Sequence, residues 1–321
     1  MSDDERGGPG MILTVTMNAS VDITYVMDEL KTDGTNRVAN VTKTAGGKGL
    51  NVTRVLKQVH ADVTAAGLAG GCNGQFIQRE LKRQGIPCEF CEITAESRNN
   101  ISIIHGKHCT EILERGEKVQ KEELQRFCKQ YERLLDDAGT VVLSGSLPQG
   151  ATSDFYAGLV QTALQKNRKV ILDTSGDCLR ESLHSVYKPF LIKPNEKELE
   201  ELTGQKLYFQ DEAAIKNVLS SELFQEIECV VVSLGASGAV VKQRDTFYRV
   251  SVPQIDAVNP IGSGDSVIAG MALSFDHGEA VEDAIKRGMA FGVLNALEAA
   301  PGKLKLECYE DVISKVEVER F

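Results

Sequence analysis

The sequence predicts an α/β fold in which a mainly parallel central sheet is covered by helices on both faces. Three observations predict it. Short runs rich in β-branched residues alternate with amphipathic helical stretches, an order that returns each strand parallel to the one before. The later strand candidates are each followed by Gly, Asn or Asp and then by helix-compatible sequence. No long linker or internal repeat interrupts the alternation.

In chain order, MILTVTM (11–17) is the first strand, and GLNVTRVLKQV (49–59) is a helix because its apolar residues recur at helical spacing. VTAAGLAG (63–70) is a strand and Gln75–Gln84 a helix. Leu124, Phe127, Cys128, Tyr131, Leu134 and Leu135 form one helical stripe, followed by the buried-type strand TVVLSG (140–145) and a helix over Ser153–Gln165. KVILDT (169–174), FLIKP (190–194) and CVVVSLG (229–235) are further strands. Small residues at Gly262-Ser263-Gly264 let the chain turn tightly, and Val267, Ile268, Met271 and Ala272 then mark a helix. Two segments depart from the pattern: 22–44, with alternating runs around Asp33-Gly34, and 99–113, with runs around Gly106-Lys107, read as exposed antiparallel hairpins. Together they predict a small second sheet. Such a sheet needs cover, which a lid position over a cleft or pairing with another subunit would supply.

Composition narrows the function. A chain of 321 residues can bury a core sufficient for two domains or one large α/β domain. With 36 Lys and Arg against 46 Asp and Glu, the net charge of -10 argues against nucleic acid and anionic membrane as partners, so any anion site must be local. No run of 18 apolar residues is present, and the opening MSDDERGGPG is acidic and polar, unlike a signal peptide. We therefore expect a cytoplasmic protein whose residues 1–10 are a disordered tail, with Met11 as a plausible natural start. Eight dispersed cysteines read as reduced thiols. The CxxC at Cys88–Cys91 lies in a strand-like stretch, where residues three apart face opposite ways, and no second CxxC completes a zinc site. The five histidines form no ligand pattern.

In open parallel sheets, ligands bind beyond the carboxyl ends of the strands, so the loops there carry the chemistry. The start of the helix at Gly262-Ser263-Gly264-Asp265 offers unpaired N–H groups and close backbone approach to an anion. Asp265 is then either a helix cap or a group acting beside that anion. TAGGKGLNVTRVL (44–56) surrounds Lys48 with glycines before a helix containing Asn51. It is neither a P-loop nor a dinucleotide fingerprint, and a flexible turn is the plain alternative. SGSLPQG (144–150) and SLGASGA (233–239) are Gly- and Ser-rich strand ends. LIKPNEKELEELTG (191–204) places Lys193, Asn195, Glu196 and Glu198 at a helix start, where a well-capped acidic first turn is the plain reading. Serine hydrolysis finds no GxSxG, and a Rossmann dehydrogenase finds no fingerprint at its first turn.

From Met11 onward, the order GGKGLN, SGSLPQG, KPNEKEL, SLGASGA, GSGDS resembles the ribokinase-like carbohydrate kinases. GLNVTRVL, SRNNISI and GSGDS point to its ketohexose-phosphate branch, which holds tagatose-6-phosphate kinases and 1-phosphofructokinases. The resemblance implies one kinase domain over 11–321, an αβα sandwich with a small β lid from 22–44 and 99–113, and a homodimer through that lid. It implies an ATP- and Mg2+-dependent kinase of a ketohexose phosphate, tagatose 6-phosphate first and fructose 1-phosphate second. It makes Asp265 the general base, with Gly262, Ser263 and Gly264 as the anion hole. Asp22, Gly46, Gly47 and Asn51 match sugar-binding positions, and Lys43 and Arg98 are candidates for the substrate's own phosphate. Lys193, Asn195, Ser233, Gly235 and Gly238 match ATP-contacting positions, Asn295 lies in the expected adenine region, and Glu198 matches the acidic position tied to Mg2+. Ala19 in MNAS (17–20) stands where relatives usually have Pro, and Ser263 where Ala is more common. A non-catalytic sensor on the same fold is the rival of another class, against which the intact Asp265 and its glycines count.

Overall fold

The structure is a computed structural model that describes residues 10–106, 108–208 and 211–321. Apart from Gly10, the expected tail lies outside the described residues, as does Lys107 at the tip of the second hairpin. Gly10 is packed: a Cβ there would come within 2.9 Å of the Gly139 Cα.

Fourteen strands among the described residues form two sheets. The larger is built on β1 (Met11–Thr16), β4 (Val63–Gly70), β5 (Cys88–Ile93), β8 (Ala138–Ser144), β9 (Lys169–Asp173), β10 (Leu191–Ile192) and β11 (Cys229–Ser233). These pair in parallel, and β12 (Ala239–Gln243), β13 (Thr246–Ser251) and β14 (Glu317–Arg320) add an antiparallel edge. The order β14-β13-β12-β11-β10-β9-β8-β1-β4-β5 shows that the chain runs outward from β1 through β4 and β5, then restarts at β8 and runs the other way. A crevice therefore opens between the carboxyl ends of β1 and β8, the topological switch point where ligands bind in such sheets.

Helices cover both faces. On one face α1 (Lys48–Gln58), α9 (Ser263–Asp276), α10 (Val281–Ala296) and α11 (Tyr309–Ile313) bury Val52, Ile268, Met271 and Phe291 against Ile12, Val142 and Ile171. On the other, α3 (Lys121–Leu134), α4 (Phe155–Gln165), α5 (Gly176–His184), α6 (Glu196–Thr203), α7 (Glu212–Leu219) and α8 (Glu222–Gln225) bury Phe127, Tyr156, Leu199 and Phe224 against Leu13, Val141 and Val230. Central strands buried on both faces explain their unbroken apolar runs.

The second sheet has the order β3-β2-β6-β7, from β2 (Ser20–Met27), β3 (Asn40–Gly46), β6 (Arg98–His105) and β7 (His108–Leu113). Both expected pairs are antiparallel, and β2 and β6 join them in parallel. The helix α2 (Gly71–Arg83) seats Ile77 and Leu81 beneath it with Val21, Ile23 and Ala45. Three details depart from the sequence reading. α2 begins at Gly71 rather than Gln75. Residues 28–39 have no regular structure, so β2 and β3 are joined by a long loop and not a tight turn at Asp33-Gly34. Of the run at 190–194, only Leu191–Ile192 pairs as strand.

Candidate active site

Residues from five strand ends and two helix starts converge on the switch-point crevice. Asn18 follows β1 and donates Nδ2 to the Ser146 Oγ beyond β8, 3.2 Å away, bridging the crevice. Asp173 ends β9 and is buried, with Lys48 Nζ 3.5 Å from Oδ2 and Lys193 Nζ 3.5 Å from Oδ1. Burial would push the Asp173 carboxyl up, but Lys193 and Lys48 together hold it below the usual range. Asp173 in turn raises Lys48, keeping that ammonium charged.

The helix α9 aims its first turn at this cluster. Gly262 caps it with φ 84°, a left-handed conformation that a Cβ would strain, and a Cβ there would also come within 2.9 Å of Pro301. Ser263 N–H donates to Pro260 O and Ser266 N–H to Gly262 O. The Gly264 and Asp265 N–H groups have no acceptor among the described residues, so they and the helix dipole form an anion seat. Lys193 lies over Gly264, where a Cβ would stand 3.0 Å from Nζ. The bare Gly264 backbone thus shares its seat with a cation.

Asp265 sits in the first turn of α9, buried, and accepts at Oδ2 from Asn51 Nδ2 at 2.6 Å. Burial first, and the charge of Asp173 second, push its carboxyl up to about 6 against the opposing pull of Lys48, Asn51 and Lys193. A carboxylate so placed is basic enough to take a hydroxyl proton near neutral pH. The cap reading of Asp265 finds no support in the structure, since its side chain makes no cap hydrogen bond.

The small sheet supplies the opposite wall. Asp22 accepts at Oδ1 from Ser20 Oγ at 2.7 Å and from Asn100 Nδ2 at 3.1 Å, while Oδ2 has no protein donor among the described residues. Burial raises the Asp22 carboxyl, opposed by Ser20, Arg54 and Asn100. Gly46 is required beside it, because a Cβ there would overlap Asp22 Oδ1 at 2.0 Å. Gly47 follows as the N-cap of α1, which carries Lys48 and Asn51 into the site.

The remaining expected residues divide. Asn195 and Ser233 are bridged side by side at the ends of β10 and β11, next to the Gly235–Gly238 turn, forming a rim beside Lys193. Asn195 Oδ1 accepts from Glu198 N–H and Glu198 Oε2 from Asn195 N–H, each at 2.9 Å, so the capped acidic first turn is what this segment forms. The Glu198 charge still reaches Lys48. Arg98 shares the Asp22 face. Its Nε donates to Asn18 O at 3.1 Å and its Nη1 to Asn100 Oδ1 at 2.6 Å and Glu114 O at 3.0 Å, which leaves Nη2 without an acceptor among the described residues.

Two expectations are corrected. Lys43 is paired across the sheet with Ile23, whose side chain packs over α2, so Lys43 lies on the face opposite to Asp22 and is not brought to the site. Asn295 is fully buried with its amide spent internally. Nδ2 donates to Ile261 O at 2.8 Å, and Oδ1 accepts from Gly302 N–H at 2.8 Å and Ser266 Oγ at 3.2 Å. It ties the anion-seat loop to residue 302 and presents nothing to a ligand. The sequence reading missed Asp173, Asn100, Asn18 and Arg54, and noticed Lys48 without giving it a role. A charged residue ending a buried strand, as Asp173 does in KVILD, was the available signal.

The chain matches the pfkB family carbohydrate kinase profile over residues 15–305. It is similar to a Staphylococcus aureus protein assigned as a phosphofructokinase, at 32% identity over 97% of this chain and 99% of that one, with a TM-score of 0.82. It is also similar to a Thermotoga maritima protein assigned as a 1-phosphofructokinase, at 25% identity over 97% and 99%, TM-score 0.87. The Escherichia coli phosphofructokinase-2 in complex with potassium shares the fold at 24% identity, covering 95% of this chain and 98% of that one, TM-score 0.86. With the family profile covering the crevice residues from β1 to beyond α10, this chain belongs to the pfkB family of carbohydrate kinases.

Proposed function

We propose that the protein phosphorylates a ketohexose phosphate with ATP and Mg2+, with tagatose 6-phosphate converted to tagatose 1,6-bisphosphate as the first reading. The observation that carries the phosphoryl-transfer chemistry is the position of Asp265, a buried carboxylate in the first turn of α9 with two N–H groups lacking acceptors among the described residues and two lysines around it; the choice of tagatose rests on the resemblance carried by GLNVTRVL, SRNNISI and GSGDS. Asp265 takes the proton of a sugar hydroxyl as that oxygen forms its bond to phosphorus and the bond to the leaving ADP oxygen breaks. The Gly264 and Asp265 amides and Lys193 meet the charge on the transferring group, which is most of what this chemistry asks of a protein.

The donors present fit a nucleotide phosphate chain: backbone N–H groups, Lys48 and Lys193. Glu198, whose charge reaches Lys48 beside the anion seat, would hold a metal arriving on that chain through water. Mg2+ held there would supply charge neutralisation. Asp22, whose Oδ2 has no protein donor among the described residues, would accept from sugar hydroxyls, and Arg98 Nη2 would meet the substrate's own phosphate. The outer small sheet keeps Val26 (46% exposed) and Leu113 (59% exposed) uncovered on the Asp22 face, which supports pairing of two copies through this sheet.

A second reading, fructose 1-phosphate as substrate, is favoured by the Thermotoga maritima relative's assignment. A coupled ADP-release assay with tagatose 6-phosphate, fructose 6-phosphate, fructose 1-phosphate and unphosphorylated tagatose separates them. The first reading expects the highest kcat/KM on tagatose 6-phosphate; faster turnover of fructose 1-phosphate moves the assignment to the second. Absence of sugar-dependent ADP release across the panel would overturn both.

A further inference from the structure

Arg54 and Asn51 stand three residues apart on one face of α1, where side chains at that spacing meet. The Arg54 guanidinium donates Nη2 to Asn51 Oδ1 and Nη1 to Ala45 O. Asn51 Nδ2 then donates to Asp265 Oδ2 at 2.6 Å. The arginine therefore bonds to the base only through an amide, while its charge also acts across space on Asp22 and Asp265.

That arrangement has two physical consequences. An amide can flip, exchanging oxygen for NH2 with little change in shape. With Arg54 present, the flip would set NH2 against guanidinium donors and the amide oxygen against a carboxylate, so only one orientation is allowed. Asn51 consequently occupies Oδ2 of Asp265 and leaves Oδ1 for a substrate hydroxyl; no protein donor reaches Oδ1 among the described residues. The second consequence is electrostatic. A guanidinium paired directly with a carboxylate favours its ionised form strongly and lowers its basicity. An interposed neutral amide fixes the geometry with a weaker pull.

The site repeats this arrangement on its other wall, where Arg98 Nη1 donates to Asn100 Oδ1 and Asn100 Nδ2 to Asp22 Oδ1. Two arginine–asparagine–aspartate relays on different elements show that the amide spacer recurs at both carboxylates of the site. Arg54 is also held from behind: Gly302 packs on Asn51, where a Cβ would come within 3.0 Å of the Asn51 Cα and 3.2 Å of Arg54 Nε.

We propose that Arg54 is a positioning residue for phosphoryl transfer, locking the Asn51 amide so that Asp265 presents one oxygen to the sugar hydroxyl. The proposal rests on the reading of Asp265 as the base. The test is a double-mutant cycle of Arg54→Met and Asn51→Ala in the full chain, with Arg54→Lys as a second variant, read by kcat, KM for ATP, melting temperature and the pH dependence of kcat. Arg54→Met is expected to lower kcat about 10- to 100-fold, as a misplaced catalytic group does, with KM for ATP within about twofold. Its acidic limb should move to higher pH, because the ionised carboxylate loses the nearby Arg54 charge and the lock that keeps the Asn51 amide donating to it. In the Asn51→Ala background the same change should cost nothing further, since the relay is already cut. Should Arg54→Met fail to fold, Arg54→Lys is read against Asn51→Ala in the same way, a lysine being unable to reach both Ala45 O and Asn51 as a fork does. Additive losses in the cycle, or an unmoved acidic limb in a folded Arg54 variant, would overturn the proposal. Wild-type protein without sugar-dependent turnover would instead sink the reading it rests on, so the two failures are distinct.

Discussion

Burial first, and the Asp173 charge second, push the Asp265 carboxyl up to about 6. If it is the base, only the ionised form accepts a proton, and activity should be lost as pH falls through about 6. The sugar's own phosphate titrates in the same region, so the decisive comparison is with Asn51→Ala, which removes a hydrogen bond to the carboxylate and should move the enzyme's limb upward while leaving the substrate's titration where it was. Replacing Asp265 itself with Asn keeps the shape and removes the base. Turnover should then fall by about 10²- to 10⁴-fold, with nucleotide binding, followed by equilibrium titration, little changed. Asn51 and the two lysines show why such a carboxyl is tolerated: Asn51 bonds to it, while Lys48 and Lys193 offset its charge and that of Asp173.

At the scale of an element, the start of α9 uses its backbone where other sites use side chains. Gly262 supplies a left-handed turn against Pro301, and Gly264 leaves its N–H open beneath Lys193. Ser263 contributes an N–H already paired with Pro260 O and a hydroxyl that accepts weakly from Asn295 at 3.4 Å. The side chains should therefore matter unequally. Ser263→Ala is expected to leave kcat within about threefold, whereas Gly264→Val displaces Lys193 and fills the anion seat, lowering kcat by at least about 10²-fold, the loss typical of a removed oxyanion donor. Gly262→Ala should lower the melting temperature as well, since a Cβ at φ 84° costs about 1–3 kcal/mol. Steady-state kinetics with thermal melts measures all three, and equal effects of the changes at 263 and 264 would contradict a backbone seat.

Across the whole molecule, the small sheet and the large sheet supply the two walls of the crevice. Asp22 and Arg98 stand on the small sheet, and Asp265, Lys48 and Lys193 on elements of the large one. A site divided in this way gains from closure, because water left beside a bound nucleotide would compete with the sugar hydroxyl. Segments 22–44 and 99–113 are accordingly expected to gain hydrogen-exchange protection with saturating sugar phosphate and a non-hydrolysable nucleotide. Unchanged exchange in both segments would show that the small sheet does not act as a lid.

The sequence by itself determined the alternation of buried strands and helices, the glycine turns at strand ends and the small second sheet, because each is written in local periodicity and turn chemistry. It also marked Asp265, Lys193, Asn51, Asp22 and the glycines, whose motifs are contiguous along the chain. Tertiary structure decided the rest, since contacts between residues more than 200 positions apart, such as Asn51 with Asp265, have no local signature. It turned Lys43 away from the site, because β-strand register sends neighbours to opposite faces and that register was set by packing over α2. It converted Asn295 from an expected ligand contact into a buried brace, and raised Asp173 from the end of an ordinary strand to the anchor of two lysines. Burial and charge proximity are properties of the assembled chain, and they set which of the marked residues can do chemistry.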